Sequence, residues 1–599
     1  MFKALRQSGV MWMGMLLLAV VPFLSSWRTG PQGGWLIESG SLLFAMLFVL
    51  LTAVQGGRLR LPAVSWYFLA LAVFWVVQAR VLGLPYAEMS DLTAAVWLGM
   101  ALLAWACRVQ VARLGQLAAA DIFAWALLAG ALLQAAVCVL QFGGWTAWLP
   151  GLMNAPGRYF VFGQLGQRNH LGHYMMWGVL AAAYLWSRRQ LPNGWALGCA
   201  LLLLGVVGLI TSRTMLLYLA ALAALLPVLY WRGGRALKRW CLLTGLMVLG
   251  VLLAQWLVMP LLSALLDGGG NIGEASGLNR MAGGNTASPG RAAEWAKAWQ
   301  VFWAHPVLGV GWQGYSHESF AWVMRDGSFR DYDPGVLFTH SHNSFLQILA
   351  EMGAAGGLLV FGGWLVLVSG YLKRPVNEAS ALMLCLMTVS LCHSLLEYPL
   401  WYVYFLAPFA VMMSLTPVQE AFAGERQASA GRWLWGGLAA LAAALTLYYG
   451  VAYYRLAHAY GKPGAEWPRE RQLAQLARSE RWDYFLRYYA HMGLLRKVDI
   501  QRKPLPAWGR DAALRASRFR PYANTAVRAF YLDQEGQSQA AADWLVNMGR
   551  YYPTLMQRYL DGAAAYGASE ALVSPLRREC LRYREENPGA SLRCGAADR

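Results

Sequence analysis

Charge is scarce in this chain. Asp, Glu, Lys and Arg together make 14% of 599 residues, where a soluble chain carries about 25%. Apolar residues make up 58%. Those proportions exclude a soluble multidomain enzyme and a disordered chain, and they fit a polytopic membrane protein with an appended soluble part. The eight cysteines include no CxxC pair, which excludes the usual zinc and thioredoxin-like motifs. A glycine-rich nucleotide loop, a paired-carboxylate motif and a metal-ligand spacing are also lacking, so no metal and no cofactor is expected. Acidic residues are the rarer sign: 50 Lys and Arg against 31 Asp and Glu give a net charge of +19. In a soluble protein that excess would suggest nucleic acid. In a membrane chain Lys and Arg anchor cytoplasmic loops, and no nucleic-acid partner is expected.

What the sequence has in quantity is long apolar runs. A membrane-crossing helix needs about 20 apolar residues, and by that rule there are about thirteen spans. They lie near 10–26, 35–54, 62–79, 92–106, 120–141, 171–187, 194–211, 214–231, 241–265, 354–372, 380–396, 400–416 and 434–452. The first lacks a convincing small-residue cleavage site and is kept as a span rather than a signal peptide. Basic residues recur at every second loop: Lys3 and Arg6; Arg58 and Arg60; Arg108 and Arg113; Arg188 and Arg189; Arg232, Arg235, Lys238 and Arg239; Lys373 and Arg374. Those loops and the N-terminus are therefore expected in the cytoplasm, and the loops 142–170 and 266–345 and the tail after 453 outside. The expected fold class is an all-α polytopic membrane protein with a C-terminal periplasmic α-helical domain. Its expected parts are N-terminal spans (1–265), a large outward loop (266–345), further spans (346–452) and the tail (453–599).

The tail is rich in Arg, Ala, Tyr and Glu. Helical periodicity covers Glu470–Ala477 and Ala512–Phe519. Ala526–Tyr552, with Gly536 at its centre and Pro553 at its end, resembles one tetratricopeptide-like helical pair, or a generic helical domain. Cys580 and Cys594 can pair in an oxidising compartment. The other six cysteines read as small core hydrophobes.

Polar chemistry gathers near the outward face. Of nine histidines, five (His170, His173, His340, His342, His393) sit in or beside spans there. Gly163–Tyr174 contains Gly166-Gln167-Arg168-Asn169-His170 and leads into the sixth span. Its glycines allow close backbone approach to a ligand. Gln167, Arg168 and Asn169 fall at a helix N-terminus, which favours phosphate, and Arg168 adds a bidentate donor. Thr211-Ser212-Arg213-Thr214 places an arginine at membrane depth, where a polar cavity and a partner are expected. Arg291 and Glu294 open an amphipathic helix that ends at His305-Pro306, followed by a turn through Trp312. Thr339-His340-Ser341-His342-Asn343 closes the largest outward loop. A neutral imidazole there can take a proton from a hydroxyl. Asn343 can fix the tautomer or hold substrate, and Glu351 can pair with an arginine. In the turn His393–Tyr402, Glu397 stands out from an interfacial aromatic belt, and Tyr398 can donate to a phosphate or sugar oxygen.

Arginines and a histidine base facing outward, where ATP is absent, need an energised substrate. A lipid-pyrophosphate sugar donor fits, with arginines neutralising the departing diphosphate. The missing carboxylate pair argues against glycoside hydrolysis. Gly166-Gln167-Arg168-Asn169, Ser212-Arg213, His340-Ser341-His342-Asn343 and Leu396-Glu397-Tyr398-Pro399-Leu400-Trp401-Tyr402 together resemble the O-antigen ligase/polymerase superfamily. The closest likeness is to its protein O-oligosaccharyltransferase branch, the PglL type of Neisseria and relatives. That resemblance implies an inner-membrane enzyme moving a glycan en bloc from undecaprenyl diphosphate to Ser or Thr of periplasmic proteins, with pilin a typical acceptor. It implies His342 as base, and Arg168, Arg213 and Arg291 as diphosphate ligands; a single-displacement attack by the hydroxyl would invert the anomeric centre, and the residue spacing calls for no metal. Gln167, Asn169, His340, Asn343, Glu397 and Tyr398 become further site residues. Rival readings are an O-antigen ligase acting on lipid A, a glycan polymerase, and a lipid-linked-sugar transporter. The transporter predicts mid-bilayer charges and internal repeats, which the sequence does not show.

Overall fold

The computed structural model describes residues 2–56, 58–155, 160–210, 212–266, 289–325, 327–331, 335–372, 376–416, 429–461 and 467–595. Thr211, Lys373 and Arg374 lie outside the described residues, as do 267–288 of the large loop. The apolar part contains α1 (Phe2–Ala19), α2 (Trp35–Val54), α3 (Ala63–Val81), α4 (Ala87–Leu114), α5 (Gln116–Gly143), α6 (Arg168–Ser187), α7 (Asn193–Leu209), α8 (Thr214–Arg232) and α9 (Arg235–Leu266). Then come α10 (Pro289–Ala304), α11 (Tyr315–Arg325), α12 (Ser344–Gly357), α13 (Gly363–Leu372), α14 (Glu378–Ser394), α15 (Val403–Ser414) and α16 (Ser429–Ala459). Each apolar run expected to cross the membrane falls on helix. Among the described residues, eight helices are long and apolar enough to span; Ser8–Leu24, Asn193–Leu209, Glu378–Ser394 and Val403–Ser414 are apolar but shorter. The chain has the helices of a polytopic membrane protein.

The chain divides into two compact units. The first comprises Met1–Leu71, Ala95–Thr286 and Leu359–Gly450. Its centre is α6, which is buried at every residue from His170 to Leu185. It packs against α5, α7, α9 and α14. A helix enclosed on all sides need not be apolar throughout, so α6 tolerates His170, His173 and Tyr174 inside the bundle. Gly178 lets α5 approach: a Cβ there would collide with Ala131. The fourth helix runs to Leu114, well beyond the expected end at 106. Arg108, read as a loop anchor, is inside it and buried. Its guanidinium donates to the Ser414 and Thr416 carbonyls at 3.1 and 2.8 Å, at the C-terminal end of α15. A cation at a helix C-terminus is stabilised by the free carbonyls, and this satisfies the charge where a loop was expected.

The second unit comprises Ala72–Ala94, Ala287–Leu358 and Val451–Arg599. The tail holds α17 (Arg469–Trp482), α18 (Arg487–Leu495), α19 (Trp508–Ser517), α20 (Arg528–Gln534), α21 (Ser538–Tyr551), α22 (Met556–Tyr566) and α23 (Glu570–Glu586). Consecutive helices pair, and α21 also packs on α23. The turn between α20 and α21 contains Gly536 at φ 79°. Cys580 and Cys594 form a disulfide inside the tail core.

Within the same unit α12 is interrupted at Gly353 (φ 64°, ψ −168°). The break accommodates the turn after α10. Val310 and Gly311 N–H donate to the carbonyls of Ala350 and Glu351 at 3.1 and 2.8 Å, and Ala354 and Ala355 N–H donate to those of Pro306 and Val307 at 2.8 and 3.1 Å. Gln78 closes the junction by donating to the carbonyls of Leu308 and Glu351 at 2.6 and 2.8 Å. The backbone groups freed by the break are thereby paired, as burial requires.

Candidate functional site

The candidate residues fall into two groups, one in each unit. In the first unit the chain enters α6 through Gln167, which is extended (φ −145°, ψ 131°). Arg168 begins the helix and lies 5.2 Å from the Phe160 ring centre. The Asn169 carboxamide donates to Glu397 Oε1 at 3.2 Å and accepts from Ser212 Oγ at 2.7 Å. Three segments far apart in sequence are thus fastened at the N-terminus of α6. Glu397 and Ser212 are buried, and the half-buried Arg213 follows Ser212 directly. Tyr398, half-buried, stacks on Tyr402 at 5.8 Å. A helix N-terminus favours an anion, and Arg168 in the first turn of α6 adds a positive charge there.

The loop before α6 is held by residues that sequence reasoning missed. Buried Gln141 of α5 accepts from the Phe162 and Gly163 N–H groups at 3.1 and 2.8 Å. Gln134 accepts from the Gln164 N–H at 3.1 Å. Gly163 has φ 59°, and a Cβ there would sit 2.5 Å from Gln134 Oε1. The close approach that this glycine permits is therefore to α5. Arg28 was also missed. Its guanidinium reaches the carbonyls of Gln164 and Leu165 at 3.2 and 2.7 Å, adjoining Gly166. A polar residue inside a span was the available signal for both glutamines; Arg28 stands in an ordinary-looking loop.

Behind this group the imidazoles of His170, His173 and His393 cluster. His393 lies 5.4 Å from His170 and 5.0 Å from His173, centre to centre, and His173 Nε2 is 3.0 Å from Ser390 Oγ. All three are buried.

The second unit carries the other group. His342 has φ 55°, in the left-handed region that non-glycine residues enter rarely. Its N–H donates to His340 Nδ1 at 2.8 Å. A nitrogen that accepts carries no hydrogen, so neutral His340 holds its proton on Nε2. Burial, with the neighbouring His342 adding to it, pushes His340 well below its ordinary range. Ser341 N–H donates to Gln347 Oε1 at 2.8 Å. The Asn343 side-chain oxygen accepts from the Phe345 and Leu346 N–H groups at 3.0 and 3.1 Å, so it caps α12. Glu351 Oε1 accepts from the Tyr315 N–H at 3.3 Å, and the Arg520 charge acts on it. Arg291 is half-buried in the first turn of α10. Glu294, three residues on, is buried in a network with Lys297 Nζ at 2.5 Å and Tyr315 Oη at 2.6 Å. Among the described residues no group of three or more His, Cys, Asp or Glu has a geometry that can hold a metal.

Comparisons with known proteins meet these same segments. Residues 161–186, which contain Gln167–His173, match the family described as protein glycosylation ligase. Residues 198–361, with Arg213, Arg291 and His342, match the O-Antigen ligase family. Residues 380–560, with Glu397 and Tyr398, match the virulence factor membrane-bound polymerase C-terminal family. A general O-oligosaccharyltransferase of Acinetobacter baylyi is 26% identical over 303 residues, 49% of this chain and 50% of the relative. The chain thus spans about half the length of the curated relative it matches. The motifs and these matches agree: the chain resembles the O-antigen ligases and, among them, the protein glycosylation ligases.

Proposed function

We propose that this protein is an oligosaccharyltransferase at the outer face of the bacterial inner membrane, with its tail in the periplasm. It moves a whole glycan from undecaprenyl diphosphate to a Ser or Thr hydroxyl of a periplasmic protein such as pilin. The observation that carries this reading is the α6 entrance, where Asn169 is pinned between Glu397 and Ser212 beside Arg168 and Arg213, within the segment similar to protein glycosylation ligases. Arg168, Arg213 and Arg291 neutralise the diphosphate as the bond from the anomeric carbon to its oxygen breaks. His342 takes the proton of the acceptor hydroxyl as that oxygen bonds to the same carbon. One displacement inverts the anomeric centre and releases undecaprenyl diphosphate; no metal takes part. Gln167, Asn169, Glu397 and Tyr398 hold the donor head group, and His340 holds the backbone of His342.

The similarity of 380–560 to a membrane-bound polymerase favours a second reading, in which the acceptor is another lipid-linked glycan. Co-expression with a lipid-linked glycan pathway and a pilin acceptor separates the two. A rise in the intact acceptor mass by one whole glycan is expected. Longer glycan on the carrier lipid with an unchanged acceptor mass would establish the polymerase instead.

A further inference from the structure

His342 stands at the end of a stretch of loop whose described residues make several contacts with the tail. Described residues 327–331 and 335–338 lead from α11 into Thr339-His340. At its start, the Gly327 carbonyl accepts from Arg582 Nη2 at 2.9 Å. The Arg582 guanidinium lies 4.2 Å from the centre of the Phe329 ring, whose plane meets Tyr583 edge-on at 5.0 Å. Gly327 has φ 71°, and a Cβ there would face the Arg550 guanidinium at 3.5 Å. Glu579 of α23 joins the two tail arginines, at 2.9 Å from Arg550 and 2.6 Å from Arg582.

Further along, Arg330 is 2% exposed. Its N–H donates to the Arg550 carbonyl at 3.1 Å, its guanidinium donates to the Val336 carbonyl, and the same group lies 4.2 Å from the centre of the Tyr551 ring. Leu337 is buried in the tail core. Burying a guanidinium is costly unless its donors are met. An apolar side chain would fasten the loop at lower cost. Arginine adds direction, because its edge fixes a loop carbonyl while its face fixes a tail ring.

We propose that Arg330 and Arg582 are positioning residues for the transfer reaction: through them the helical tail clamps the loop that presents His342, and so sets the rate of proton removal. This inference rests on the transferase reading for its kinetic consequence and on the loop geometry for its structural one. A base displaced by about 1 Å can cost up to two orders of magnitude in rate. The clamp acts on the loop that carries the base, so its loss is expected in kcat, with donor KM staying within twofold.

The full chain in lipid vesicles, as Arg330→Gln, Arg330→Lys and Arg582→Ala, gives two independent readings. In the first, kcat for glycan transfer to a pilin acceptor falls by at least about tenfold in Arg330→Gln, and Arg330→Lys, which keeps a cation over Tyr551, recovers part of it. In the second, amide hydrogen exchange over 338–346 accelerates while 541–548 in the tail core stays protected. The exchange reading decides the clamp even if the wild type transfers no glycan, a result that would sink the transferase reading alone. Unchanged exchange at 338–346 overturns the proposal. So does faster exchange with unaltered kcat, or a loss of protection that extends to 541–548, which marks a general structural role. Should Arg330→Gln fail to accumulate, Tyr551→Leu removes the ring and is judged by the same two readings. Arg510→Gln, which breaks an exposed pair with Glu535, is the control and leaves both readings unchanged.

Discussion

His342 and His340 are tied by a hydrogen bond, and their geometry gives each a different expected phenotype. His342 occupies the left-handed region with its N–H tied to His340 Nδ1, and such conformations persist where the surroundings enforce them. In the proposed reaction His342 is the general base, whose loss costs about 10²- to 10⁴-fold, so His342→Ala is expected to reduce acceptor glycosylation to near background while membrane levels are kept. Arg213→Lys is expected to impair transfer as well, because an ammonium does not reproduce a bidentate fork on diphosphate; the check is the donor KM together with kcat. His340 predicts an effect of pH. Its folded form resists protonation, whereas in the unfolded chain it titrates near its ordinary ~6.5. The unfolded state therefore binds the proton more readily, and stability is full above that pH and falls as the pH drops below it. The thermal midpoint should decline between pH 7 and pH 5, and His340→Gln should flatten part of the decline. Short polar motifs in an apolar chain made the histidines and Arg168 legible. Asn343 shows a role the sequence does not disclose: beside fixing a tautomer or holding substrate, the roles its motif suggests, its side-chain oxygen caps α12. Arg28 was illegible because its partners, Gln164 and Leu165, are far along the chain.

Hydropathy locates helices well and their ends poorly, and α4 and α12 show why. The end of α4 was set at a change from apolar to charged residues, but Arg108 is satisfied by the carbonyls of α15 and the helix continues. The start of the tenth span was placed at 354, next to the break in α12; the helix itself begins at Ser344. No local pattern discloses that break, since the turn after α10 creates it. Gly353 is its test. An alanine there meets the Val307 carbonyl and the Gly309 nitrogen at a positive φ, a strain on the order of 1–3 kcal/mol. Gly353→Ala should lower the thermal midpoint of the detergent-solubilised chain more than Gly370→Ala, where a Cβ meets open space. Equal midpoints would remove the structural reason given for the break.

The whole molecule joins a membrane bundle, whose helices follow from composition, to a tail whose fold does not. One of the tail's helical pairs, Ala526–Tyr552, is legible as small and apolar residues at three- and four-residue spacing; the others are not. Its disulfide was visible only as two cysteines that can pair. Cys580–Cys594 closes a separation of 14 residues, a constraint worth about 3 kcal/mol. Cys580→Ser should lower the unfolding midpoint of the tail in the full chain, followed by exchange protection at 541–548, while α6 keeps its protection. The central claim concerns the whole molecule: a glycan leaves a lipid diphosphate and arrives on a protein hydroxyl. Purified full chain in vesicles, given a polyprenyl-diphosphate-linked oligosaccharide and a folded pilin acceptor, tests it directly by intact mass. The account predicts an acceptor heavier by one entire glycan, one polyprenyl diphosphate released per transfer, and neither with His342→Ala. An unmodified acceptor beside consumed donor, or full transfer by His342→Ala, would contradict it.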